Sequence, residues 1–301
     1  MKIKTALQFG LCCIFLSHPI KFRIVYANNI KNLNKKERLR KISELCLSNS
    51  VNLLDGLKIL QRLNIKSFRI NSKFFPLYTH PDFSYKLTDL TDYEEIIKTL
   101  SKVKKYAKDN QIRLSFHPDQ FIIISSPHQK VIENSIAELE YHTLLAGLVG
   151  AEVINIHIGG KYESKSETIK RFSKNFKKLS PQTQKILTVE NDDVIYTPAD
   201  VNELSSIIGI PFVYDIHHHR CNPDNLTEEK ATELCLQSWQ KFRPHQKPYF
   251  HISSSKNGAR AHADYINPDD IPEFWHQIQA TVDVEAKAKE LAVIKLMKNF
   301  D

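Results

Sequence analysis

Residues 213–223 read VYDIHHHRCNP, an apolar run that ends on Asp215 and passes directly into three histidines. Imidazole and carboxylate groups this close together are the donors of a site for zinc, manganese or iron, whereas magnesium and calcium prefer oxygen alone. Neighbouring side chains of an extended segment face opposite ways, so the three histidines cannot all enter one site. Asp215 and His218 are the expected pair, because a three-residue step lets the chain turn and bring both back to one place. His217 and His219 are expected to support the ligands or to meet solvent. The same residue types recur where other apolar runs stop: His117 in LSFHPDQF, His157 in NIHIGG, Glu190 in VENDD, His251 in FHISS and Glu285 in VEAKAKE. His80 in YTHPDF and His262 in RAHADYI follow two further runs. One such histidine alone is more often an ordinary hydrogen-bonded residue, and it is the recurrence that points to a site. The set is too large for one ion. A carboxylate bridging two cations about 3.5–4 Å apart accounts for it, and Glu190, central in chain order, is the expected bridge. Such a centre activates water and clamps the charged oxygens of a phosphodiester.

The elements that must position these groups are strand-like runs at TALQFGLCCIF, SFRIN, IRLSFH, EVINIHIG, ILTVEND, PFVYDIH, KPYFHIS and TVDVEAK. Helical patterns separate most of them, among others at 92–110, 130–150 and 166–180. Strands alternating with helices pair in parallel, and eight such units imply a closed (β/α)8 TIM barrel. No linker-like or low-complexity stretch interrupts the chain, so a single catalytic domain over 1–301 is expected. A barrel gathers its active site at the carboxyl ends of its strands, which is where these histidines and carboxylates fall.

Composition narrows the partner. The 301 residues carry 42 Lys and Arg against 34 Asp and Glu, a formal charge of +8 that favours a polyanion. The five cysteines, Cys12, Cys13, Cys46, Cys221 and Cys235, form no CxxC or framework spacing and suit free thiols in a reducing cytoplasm. The opening MKIKTALQFGLCCIFLSHPI imitates the basic and apolar regions of a secretory signal. It holds Gln8 and Gly10 and is shorter than the roughly 20 apolar residues that cross a membrane, so a buried first strand is expected instead.

The motifs LSFHPDQF, NIHIGG, VENDD, YDIHHHRCNP, FHISS, RAHADYI and VEAKAKE, in this order and spacing, resemble those of the UV damage endonucleases from about Phe9 to the C-terminus. The resemblance implies a barrel related to that of endonuclease IV and a cluster of two or three divalent ions, commonly manganese, with zinc fitting the same donors. It implies damaged double-stranded DNA as partner, with a nick 5′ to cyclobutane pyrimidine dimers and 6-4 photoproducts that leaves 3′-hydroxyl and 5′-phosphate ends. On this resemblance His80, His117, His157, Glu190, Asp215, His218, His251, His262 and Glu285 fall on the metal-site positions, with Glu190 and His218 central to catalysis. Gln120 and Phe121 fall on a polar and aromatic pair that probes the duplex at the lesion. An aromatic wedge fills the gap when damaged bases turn out of the stack. Phe121 equally reads as the start of an apolar loop packed on the barrel. Lys161, Arg220 and Arg260 neighbour the metal motifs and are candidates for phosphate contact.

Two positions depart from the family pattern. Members often place a lysine, which can be carboxylated, two residues before the strand-seven histidine; Tyr249 stands there, at a position counted as catalytic. Leu11 stands about where a tyrosine near the lesion pocket is often found. The residues leave other readings open: an apurinic-site endonuclease of the endonuclease IV type, a metal-dependent sugar isomerase or epimerase, and a noncatalytic DNA-binding relative.

Overall fold

The computed structural model describes residues 6–300. Eight parallel strands close into a barrel: β1 (Gln8–Cys12), β2 (Ser67–Ile70), β3 (Arg113–Phe116), β4 (Val153–His157), β5 (Leu187–Glu190), β6 (Phe212–Asp215), β7 (Tyr249–Ile252) and, after the small antiparallel hairpin of β8 (Ser255–Lys256) and β9 (Ala259–His262), β10 (Thr281–Val284). Each strand pairs with its sequence neighbour and β1 pairs with β10, in register from Gln8 against Thr281 to Leu11 against Val284. This is the TIM barrel expected from the alternation of strands and helices. The apolar opening stretch forms β1 from Gln8 onward, while residues 1–5 lie outside the described residues. No helix among the described residues is long and apolar enough to cross a membrane. The five cysteines are free thiols.

The helices are α1 (Lys35–Arg62), α2 (Tyr93–Asp109), α3 (Gln129–Val149), α4 (Lys165–Phe176), α5 (Pro181–Ile186), α6 (Pro198–Ile208), α7 (Ile216–Cys221), α8 (Glu228–Phe242) and α9 (Glu290–Met297). Local signals set their ends. Asn34 and Glu37 form a capping box at the start of α1, and Gly150 closes α3 in the left-handed conformation that a side chain resists. The pattern at 166–180 divides into α4 and α5 because Ser180 caps a new helix that begins at Pro181.

The outward-facing strand residues, such as Leu11, Phe68, Phe116, Val189, Phe212 and Phe250, are buried under the helices. Leu11 therefore contributes to packing and offers no face to a lesion. Inward positions are unusually polar for a barrel, whose interior is commonly filled by Val, Ile and Leu. Arg113 reaches across to Thr281 Oγ1 (2.7 Å), and Thr188 donates to Asn155 (2.8 Å). Gly10 is required on β1, since a Cβ there would collide with Asp283 Oδ1 and lie 2.8 Å from Ser67 Cβ.

Candidate metal centre

Glu190 ends β5 with its side chain wholly buried. Its two oxygens face different neighbours. His117 Nε2 lies 3.1 Å from Oε2, which also accepts a hydrogen bond from Asn155. Oε1 lies 2.9 Å from His251 Nδ1 and 3.4 Å from His218 Nδ1. Burial by itself would raise this carboxyl, but His251, His157 and the other imidazoles hold it well below the usual carboxylate range. Glu190 is thus an anion with one oxygen toward each half of the barrel mouth.

Three groups of side chains bring potential ligand atoms within 4.8 Å of one another: His117, His157 and Glu190; Glu190, Asp215 and His218; Asp215, His251 and Glu285. Successive groups share Glu190 and then Asp215, so the sites form one continuous row. Two atoms support a cation-binding role directly. Among the described residues, buried His157 Nδ1 and Asp215 Oδ2 have no hydrogen-bond partner, a costly condition that a bound cation would relieve.

Asp215 and His218 are brought together, and the turn that does so is helical. Asp215 caps α7, its Oδ1 accepting the His218 N–H at 2.8 Å, so the three histidines radiate from a helical turn. His218 faces the row. His217 Nε2 lies 2.9 Å from the Arg260 carbonyl, and His219 is held between the Tyr214 hydroxyl (2.7 Å) and Asp224 (3.1 Å). Asn191 fixes Asp215 from both backbone sides, accepting its N–H (3.0 Å) and donating to its carbonyl (2.8 Å). Burial would lower the His218 imidazole, but Asp215 and Glu190 push it up to about 11, so in the metal-free protein it is an imidazolium. A cation entering there displaces a proton.

Beneath the row sits Arg69, which the sequence reading missed. Its guanidinium reaches Glu285 Oε1 (2.5 Å), His251 Nε2 (2.9 Å) and Asp283 Oδ2 (3.3 Å). Arginine is never an acceptor, so Arg69 fixes Nε2 of His251 as the nitrogen that receives a hydrogen bond. Burial opposes the charge of Glu285, while Arg69 and His251 hold its pKa far below the usual value. An arginine in the middle of a β-strand gives no signal of its own; the inward phase of β2, shared with Ser67, was the available clue. Glu290 was missed as well. It accepts the backbone N–H groups of Leu16 (2.8 Å) and Ser17 (2.6 Å), tying the loop after β1 to the start of α9.

Other expected residues stand apart from the row. His262 on β9 is at its edge, with Nδ1 3.6 Å from Glu285 Oε2. His80 belongs to none of the three groups: its Nδ1 accepts the Asp82 N–H (3.1 Å) and its ring packs on Phe83. Tyr249 also stands apart. Only 1% exposed, it lies lower in the barrel with the Arg113 guanidinium 4.1 Å from its ring centroid, one inward position below His251. Arg220 is exposed and paired with Glu228 (2.7 Å) and Asp270 (3.3 Å). Lys161 and Arg260 are exposed. Phe121 is 71% exposed beside exposed Gln120, so its ring is not packed on the barrel.

The comparisons agree with this fold. The crystal structure of SacUVDE superposes with a TM-score of 0.85 and 28% identity over 97% of each chain. Endonuclease IV from Thermus thermophilus, at 10% identity and a TM-score of 0.59 over 97% of this chain and 98% of that one, shares the fold. A UV DNA damage endonuclease of Bacillus cereus (strain B4264) is 33% identical over 283 residues, covering 89% of this chain and 86% of that protein. The model of one family, UV-endonuclease UvdE, matches residues 7–301, so the chain belongs to the UV-endonuclease UvdE family.

Proposed function

We propose that the protein is a DNA repair endonuclease that nicks duplex DNA 5′ to ultraviolet photoproducts, using divalent cations, manganese foremost, held at the barrel mouth. One observation carries the metal-dependent reading: three ligand groups joined through Glu190 and Asp215, with the two oxygens of Glu190 turned to different groups. That is the arrangement of a bridging carboxylate. Cations bound there neutralise phosphate oxygens and make a nearby water more acidic. The chain's own residues do the rest. Glu190 is kept anionic by its imidazole neighbours, Asn191 and the α7 cap hold Asp215 and His218 in place, and Arg69 anchors Glu285 from below.

The surface around the mouth suits a damaged duplex. Phe121, Tyr26, Leu16 and Val194 expose apolar side chains on loops that follow barrel strands, beside exposed Lys161 and Arg260. Phe121 with Gln120 is the wedge that enters the stack at a weakened step, and the two basic side chains meet the phosphate backbone. The test is cleavage by the purified protein, with manganese, of duplexes carrying one cyclobutane dimer, one abasic site or no lesion, mapped to the nucleotide. Cutting directly 5′ to the dimer and none in intact DNA is expected. Cutting at the abasic site alone would make the protein an apurinic-site enzyme, and no cutting would refute the nuclease reading.

A further inference from the structure

Strands of the barrel run toward the mouth and helices return from it, so helix ends and strand starts share the face opposite the metal row. Two cavities, of about 510 and 340 Å³, open on that far face and share His245 and Gln246 in the loop before β7. Lys104, Lys108, Arg113 and Lys247 line the first, and Lys185 and Arg243 line the second. Glu152 is the single carboxylate in either wall among the described residues, and Arg113 already holds it at 3.0 Å. Arg243 Nη2 donates to the Leu187 carbonyl (2.6 Å), while its Nη1 is buried with no hydrogen-bond partner among the described residues. Burial and the Arg113 guanidinium lower Arg243 to about 10. Cations are gathered here beyond what the protein's own anions balance. The preference of cationic side chains for helix C-termini accounts for Lys108 in the last turn of α2. It does not account for Arg113, which opens β3, or for Lys247, which precedes β7.

We infer that the far face is a second nucleic-acid site, which takes the phosphodiester backbone of a DNA segment other than the one at the metal row. The inference rests on the proposed DNA substrate and needs none of the cleavage chemistry. Ammonium and guanidinium groups supply the charge that phosphates require, and the amides of Gln111 and Gln246 supply neutral N–H donors beside them. One small anion would leave most of these cations unmatched. Exposed Lys177, Lys178 and Lys241 carry the positive surface past the cavities, at the ends of α4 and α8. A run of phosphates meets a surface of that spread. A lipid bilayer finds no hold, because the loops of this face expose no large apolar side chain among the described residues. The mouth is the more acidic end: its loops add Asp192, Asp193 and Asp264 to the carboxylates of the row. The contact is electrostatic and reads no sequence, so one molecule can hold one segment while its mouth searches another.

The experiment counts duplexes per protein by sedimentation at low salt, with manganese and an excess of a dimer-bearing duplex too short to reach both faces. Wild-type protein is compared with Lys108→Glu/Lys185→Glu/Lys247→Glu on the far face. A control of equal charge change, Lys130→Glu/Lys170→Glu/Lys230→Glu, alters exposed positions in the first halves of α3, α4 and α8. Two duplexes are expected on wild type and on the control, and one on the far-face variant, which nicks at the wild-type rate. Thermal melting checks that each protein is folded. Should the triple variant unfold, Lys108→Gln carries the same test: the slope of log affinity against log salt for the second duplex becomes shallower by about 0.9, the share of one phosphate contact. A wild-type protein that nicks yet carries one duplex, or a far-face variant that carries two, would overturn the second site. Loss of the second duplex from the control would overturn it as well, since net charge alone would then explain the effect. A wild-type protein that never nicks and carries one duplex, lost in the far-face variant, would instead overturn the reading of the mouth and uphold the far-face site.

Discussion

Arg69→Met is the most exposing test of the metal centre's design. The guanidinium is the cationic partner of two carboxylates, Asp283 and Glu285, whose side chains are 1% and 15% exposed. Methionine keeps much of the volume and removes the charge. Breaking a buried pair from one side costs about 3–5 kcal/mol, because the remaining charge is left without compensation. Set against a typical stability of about 5–15 kcal/mol, the loss should be plain in urea denaturation of metal-free protein. The same reasoning fixes a second quantity. A divalent cation at the Asp215–His251–Glu285 group supplies the positive charge that Glu285 has lost, so manganese should restore part of the stability of Arg69→Met and restore less in wild type. Arg69→Lys should not recover the wild-type value, since an ammonium cannot hold Glu285, Asp283 and His251 in one planar fork. A loss below about 1 kcal/mol, or an equal loss with and without manganese, would refute the view that Arg69 is the counterion of the centre.

Further expectations follow from the same contacts. Glu190→Gln should cut nicking by more than the roughly 10–100-fold cost of an outer-shell change, with circular dichroism unchanged; wild-type rates would remove Glu190 from its bridging role. Chelation should abolish nicking reversibly, and cleavage by fully chelated protein would end the metal reading. His142 on α3 gives a pH signature: burial lowers its imidazole from 6.5 to about 4. Between those values the unfolded chain binds a proton that the folded chain refuses, so stability is whole above pH 6.5 and falls as pH drops toward 4, by up to about 3 kcal/mol. His142→Leu should flatten that dependence in urea melts, and an unchanged pH profile would sink the assignment.

The barrel was legible in the sequence because eight apolar runs alternate with helical patterns, and the ligand row because its members stand where strands stop. The residues that hold the ligands were not legible. Arg69, Asn155 and Asp283 lie within strands, and only closure of the barrel shows that they face Glu285, Glu190 and Arg69 across its interior. A turn was expected between Asp215 and His218, and its helical form was not legible: Asp215 caps that turn, which aims His218 at the row. His80 was placed by its position after an apolar run and Tyr249 by motif alignment; both locate a residue along the chain and carry no information on which way its side chain turns.

The clasp between Glu290 and the loop at Leu16 and Ser17 spans 274 residues, and the seam between β1 and β10 joins stretches nearly as far apart. Arg69 likewise waits for Asp283 and Glu285 from the last strand of the barrel. A ribosome therefore delivers the centre's final carboxylate and the closing strand together, after every other strand of the barrel. Until then the row lacks Glu285 and the barrel lacks its closing strand, so the histidines stand without their full surroundings. The cost of this late assembly is a slow search, since contacts so distant in sequence are the last to be rewarded in folding.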